Sequence, residues 1–146
     1  MKRLLVRAVA IWILIALAET LHGVARTLVV VPILGDRPSR QLGVLIGSMM
    51  ILGIAWLSVT WIRATTRPQL LAVGLLWLGM MLAFEVGLGR AVGASWERIL
   101  SDYDPRQGGL MILGMGVLLL APLLAARGRS RAAGGQMSGR RPRIEE

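Results

Sequence analysis

Residues 42–62 read LGVLIGSMMILGIAWLSVTWI, an unbroken run without a single charge. About 20 apolar residues in a helix cross about 30 Å of hydrocarbon, so this run is long enough to span a membrane. Working outward, three further stretches have the same character, at residues 4–21, 70–88 and 109–125. None shows the period-two alternation of barrel strands. Inside lipid each segment must satisfy its own backbone hydrogen bonds, which makes all four helices. Pro68 and Pro122 fall at or near span ends, where a missing N–H costs little.

The composition agrees. Hydrophobic residues make up 55% of the 146-residue chain and charged residues 17%, with a mean hydropathy of +0.63. A soluble domain carries about 25% charge, so an ordinary soluble enzyme and a disordered chain are both excluded. The absence of cysteine excludes a disulfide scaffold. The expected fold is all-α: an integral membrane four-helix bundle over residues 1–126, followed by a basic, disordered tail over 127–146.

Lys and Arg orient the spans. Lys2, Arg3, Arg7, Arg63, Arg67 and every Arg from Arg127 onward fall on one side, opposed only by Glu145 and Glu146. On the other side Arg26, Arg37, Arg40, Arg90, Arg98 and Arg106 are balanced by Glu19, Asp36, Glu85, Glu97, Asp102 and Asp104. The whole formal charge of +9 therefore belongs to the side that carries both termini. That side is expected to face the cytoplasm, which places the chain in the inner (plasma) membrane. The Arg-rich tail is expected to sit near anionic lipid headgroups. It has no aromatic residue to stack on bases, and nucleic acid is not an expected partner.

Sliding the chain by 66 residues aligns the first two spans with the last two. Glu19 then falls on Glu85, Gly23 on Gly89, Asp36 on Asp102, and Arg40-Gln41 on Arg106-Gln107. Acidic residues and Gln are scarce here, so these matches mean more than the apolar ones. The reading is a duplicated hairpin, with repeat 1 at about 4–63 and repeat 2 at about 70–126, both copies inserted in the same direction. The N-terminus also resembles a secretory signal peptide, with Lys2-Arg3, an apolar run and Ala16-Leu17-Ala18. The repeat favours a retained first span, because it is the counterpart of the third.

The repeat places one Glu near the outer end of each first helix and one Arg at the start of each return. A carboxylate near hydrocarbon seeks a partner, and the Arg fork suits it. Two clamping ion pairs are expected, Glu19 with Arg40 and Glu85 with Arg106. The connecting segments 24–34 and 91–100 read as short interfacial elements, the second presenting Trp96, Glu97 and Arg98 for contact. Asp36 and Asp102 are placed to cap the returning helices.

Glu19, His22 and Arg26 share one helical face and, with Arg40, Glu85, Arg90, Asp102 and Arg106, make the candidate polar site. With one His and no Cys, no metal centre or cofactor is expected. No nucleophile elbow accompanies Ser95 or Ser101, and no catalytic residue is assigned. Gly43 and Gly47 form a GxxxG pair, and Gly79, Ala83 and Gly87 a second ridge; both read as internal packing rather than a homodimer seam. Met49, Met50, Met80, Met81, Met111 and Met115 read as adaptable packing. Trp56 and Trp61 belong to a cytoplasmic aromatic belt.

Three function classes follow. The first is a non-catalytic accessory, scaffold or assembly protein whose ionic outer face docks a membrane-protein partner or a second copy. The second is an oligomeric transporter or channel using Glu19 and Glu85. The third is a lipid- or quinone-acting enzyme, for which Glu19, His22 and Asp102 are the only acid–base groups.

Overall fold

The computed structural model describes residues 2–107 and 109–138. Its elements are α1 (Lys2–Ala25), a π-helical turn (Arg26–Val30), α2 (Val31–Leu34), α3 (Asp36–Ile62), α4 (Arg67–Ala91), α5 (Trp96–Ser101), a 3-10 turn (Pro105–Gln107) and α6 (Met111–Ser138). No strand occurs among the described residues, and the fold is an all-α four-helix bundle. Lys2–Leu34, Asp36–Ile62, Arg67–Ala91 and Met111–Arg131 are long and apolar enough to cross a membrane.

Local chemistry sets the turns. Arg63 in the left-handed region (φ 61°) ends α3. A capping box starts α4: the Thr66 side chain accepts from the Gln69 backbone N–H, Gln69 reaches back, and Pro68 occupies the first turn. Gly35, at φ 82°, closes the first hairpin at the turn between α2 and α3 with a backbone that only glycine adopts without strain. Ser95 caps α5 by accepting from Arg98 N–H.

One expectation is corrected. Residues 24–34 do not form a separate interfacial element, because α1 runs on through the π turn into α2 as one rod of 33 residues. Nothing before Pro32 breaks the helix. The widened turn at Arg26–Val30 falls where the Pro32 ring needs room at the carbonyl four residues back. At the other end, α6 continues to Ser138, through the start of the segment expected to be disordered; residues 139–146 lie outside the described residues.

The end that carries Arg7, Arg63, Arg67 and Arg129 (the basic end) is closed by tight packing. Ile15, Ile62, Val73, Trp77 and Leu118 are wholly buried. The Trp77 indole donates to the Ala8 carbonyl at 2.8 Å, satisfying a polar group that would otherwise be stranded in the core. Trp12 and Phe84 meet edge to face at 6.0 Å, so α1 and α4 are tied together along this half. Gly74 lets α4 approach the Leu119 carbonyl of α6 so closely that a Cβ there would collide with backbone. Arg7 donates to the Trp61 carbonyl and lies over its ring, and Arg129 does the same at Trp56.

The glycine ridges divide. Gly43 and Gly47 face other elements of the chain, whereas Gly79 and Gly87 have nothing within 4 Å of an added Cβ. The ridge on α4 is therefore surface among the described residues, not the internal packing expected of it.

Candidate functional site

At the opposite, ionic end α1 and α3 bring the candidate residues together. Glu19, His22 and Arg26 face α3, which answers with Gly47, Gly43 and Ser39 at four-residue intervals, one stripe of the helix. A Cβ on Gly47 would lie 2.6 Å from Glu19 Oε2, and one on Gly43 would lie 2.8 Å from Arg26 Cδ. The GxxxG pair thus makes room for charged side chains rather than for a bare backbone contact. Arg26 runs outward along this stripe, and its guanidinium donates to Ser39 Oγ at 3.3 Å. Ser39, fully buried, passes its own proton to the Asp36 carbonyl at 2.8 Å.

Glu19 lies deeper. His22 Nδ1 is 3.8 Å from Oε2, and Oε1 is buried with no hydrogen-bond donor among the described residues. Such an atom is costly unless something meets it. Across the bundle Glu85 Oε2 accepts from the Tyr103 hydroxyl at 2.8 Å. Burial pushes the Tyr103 phenol above its ordinary value of 10.0, and the Glu85 carboxylate beside it adds to the shift. Tyr103 therefore stays a hydrogen-bond donor throughout the physiological range.

The two clamping pairs do not form. Arg40 donates to Asp102 Oδ1 at 2.7 Å and lies 3.2 Å from Asp36 Oδ2. Arg98 approaches the same two carboxylates at 3.7 and 3.6 Å, closing an alternating quartet that joins the two hairpins. The length of α1 is the physical reason. Leu34 stands 15 residues beyond Glu19, about 22 Å of rise, and the return to Arg40 recovers only a small part of it. Glu19 thus sits level with Gly47, not Arg40. In the second hairpin the chain folds into α5 and the 3-10 turn, leaving Arg106 exposed with its backbone N–H on Asp104. Neither Asp36 nor Asp102 supplies a side-chain cap to a returning helix: Gly35 is the N-cap of α3, and Asp102 ends α5.

Two spaces with lining residues in common open here. A cavity of about 210 Å³ lies among α1, α3 and α6, walled by Glu19, His22, Arg26 and Arg40 and floored by Ile51, Met115 and Leu118. A larger crevice of about 770 Å³ separates the outer halves of α1 and α4, with Glu19 and Glu85 both on its wall beside Phe84, Leu88 and Tyr103. Glu19, Arg26, Arg98, Asp102, Met81 and Met111 border both.

Of the predicted residues, Glu19, His22, Arg26, Arg40, Glu85, Arg98 and Asp102 converge on these spaces. Arg90 turns instead to the Ala94 carbonyl and lies over the exposed Trp96 ring, Glu97 is exposed, and Arg106 stands apart. Tyr103, Ser39 and the gathering of Met81, Met111 and Met115 were not anticipated. Being the single tyrosine in the chain, set between two aspartates, was the one sign Tyr103 offered. No group of three or more His, Cys, Asp or Glu arranged for a metal ion occurs among the described residues. No protein-family model, curated protein or solved structure matches the chain.

Proposed function

We propose that this multi-pass membrane protein is a small carrier that receives its substrate in the crevice at the ionic end, with Glu19 and Glu85 as the groups that meet it. One observation carries the reading: both carboxylates line the same opening, and neither is consumed by the arginines that would have made it a structural clamp. An ionisable group within a membrane helix marks a substrate path more often than a support. The packed basic end supports a carrier over an open channel, since Ile15, Trp77 and Leu118 are wholly buried beneath the crevice.

In this proposal the protein sits in the inner membrane with its basic end and both termini in the cytoplasm, following the distribution of Lys and Arg. The crevice then opens on the outer side. The two hairpins are tandem copies, a reading supported by the polar matches at the 66-residue offset, Glu19 with Glu85 and Arg40-Gln41 with Arg106-Gln107. Reporter fusions at the two termini check the orientation, and activity in opposite compartments would overturn it.

The function is tested by solute flux into proteoliposomes. Glu19→Gln and Glu85→Gln chains that fold but no longer support flux are the expected result. Full flux in both folded variants would overturn the proposal.

A second reading, the accessory or assembly protein, draws support from the rim. Leu28 and Ile33 on the projecting rod are 72% and 75% exposed, and Trp96 and Arg98 are open on α5. A partner that co-purifies with the native chain and is lost on changing Trp96 or Arg98 would favour it.

A further inference from the structure

The charges around the crevice do not cancel. Asp36 and Asp102 are matched by Arg40 and Arg98 within the quartet. Among the described residues that line the crevice, that leaves the carboxylates of Glu19 and Glu85 against the guanidinium of Arg26, a surplus of one negative charge when both are ionised. Position widens the imbalance. The Arg26 guanidinium reaches Ser39, while Glu19 rests at Gly47, two turns of α3 deeper and about 12 Å along the helix. Among the described residues, the ion-pair contact of Glu19 is with the His22 imidazole, 3.8 Å away.

The remaining features describe the molecule that would restore the balance. Glu19 lines the crevice and, among the described residues, its Oε1 has no donor, so a partner that meets this carboxylate carries N–H or O–H groups or a positive charge. The walls are mainly apolar and hold two aromatic rings, Phe84 and Tyr103, with Met81 and Met111 also on them. Aromatic rings and thioethers favour organic cations over strongly hydrated inorganic ones. The rims are Val24 and Leu28 on one side and Leu88 and Val92 on the other, all of them well exposed where acyl chains would lie. A space of about 770 Å³ is the size that takes a compact organic molecule. Resting on the carrier reading, we infer that the crevice takes an apolar monocation, a hydrophobic amine or onium ion that arrives from the lipid and is paired by Glu19, with Glu85 second.

The test uses two probes of the same shape and opposite charge, tetraphenylphosphonium and tetraphenylborate. Binding is measured on the full chain in lipid nanodiscs, with protein-free discs subtracted. Saturable binding of the phosphonium is expected, with the borate at least tenfold weaker. Glu19→Gln is expected to weaken the phosphonium at least tenfold and Glu85→Gln a few-fold. Helical circular dichroism and an unchanged elution volume establish that each variant is folded. If Glu19→Gln does not fold, Gly47→Ala, which displaces the same carboxylate, is expected to weaken the phosphonium instead. Equal binding of the two probes, or undiminished phosphonium binding in a folded Glu19→Gln chain, overturns the inference. Leu88→Trp, at the mouth of the crevice, separates this inference from the reading it rests on. If tetraphenylborate or the neutral decylubiquinone binds as tightly as the phosphonium and is blocked by that change, the cation inference fails and the crevice still binds. If no probe responds to it, the crevice reading fails too.

Discussion

Replacing Gly47 with Ala probes the contact on which the site is built. A Cβ there would lie 2.6 and 3.0 Å from the two Glu19 oxygens and 3.2 Å from Cδ, so the carboxylate must retreat. Forcing an extra carbon into a packed contact costs about 1–3 kcal/mol. Against this, Ala is favoured over Gly inside a helix by about 1 kcal/mol. The net expectation is a loss of about 0–2 kcal/mol in the native background. With Glu19→Ala already present the obstacle is gone and only the helix term remains, so the same change should stabilise by about 1 kcal/mol. The coupling between the two positions is therefore about 1–3 kcal/mol. Reversible unfolding in bicelles, measured on the native chain, both single variants and the double variant, gives this coupling directly. An effect of Gly47→Ala that is the same in both backgrounds would refute the placement of Glu19 against α3.

Other expectations follow from single contacts. Exchanging the charges of Arg40 and Asp102 together should recover part of the stability lost in either single variant; each single change is expected to cost about 1.5–3 kcal/mol, the range for a hydrogen bond to a charged group, and failure of the double exchange to recover anything would count against the contact. Trp77→Phe removes the donor to the Ala8 carbonyl and should cost about 1–3 kcal/mol in the same unfolding assay, whereas a neutral result would show that the indole is not inside the bundle. Tyr103, the only tyrosine, gives an isolated phenolate absorbance whose titration should lie above the ordinary value of 10.0 in the folded chain. Because the folded value is raised, the associated stability is intact below pH 10 and declines as pH rises from there toward the folded value; titration at the free-tyrosine value would contradict the Glu85 contact.

The helices were legible because lipid leaves the backbone few choices: length and hydropathy locate four spans. Periodicity alone put Glu19, His22 and Arg26 on one face, and the aromatic belt put Trp56 and Trp61 at the basic rim, where both carbonyls now hold arginines. Partner choice was not legible. It depends on how far α1 continues, and Pro32 reads as a break unless the π turn that accommodates it is known. Once α1 extends to Leu34, Arg40 is carried out of reach of Glu19 and into reach of Asp102. The GxxxG pair does pack inside the chain as expected, but what it admits was not legible. A missing side chain admits a neighbouring helix or a neighbouring carboxylate equally well, and sequence spacing does not distinguish them. Tyr103 was hidden by its neighbours, since Asp102, Asp104 and Pro105 read as a polar turn while the ring itself folds back onto Glu85.

Because the chain has no cysteine, a pair introduced at 19 and 47, compared with a pair at 19 and 40, reads the position of Glu19 without background. Mild oxidation in native membranes should join 19 to 47, where the Glu19 side chain lies against α3, and leave 19 and 40 unjoined. Efficient joining of 19 to 40, with 19 and 47 left reduced, would return Glu19 to the role of an arginine clamp and remove the open carboxylate from the crevice.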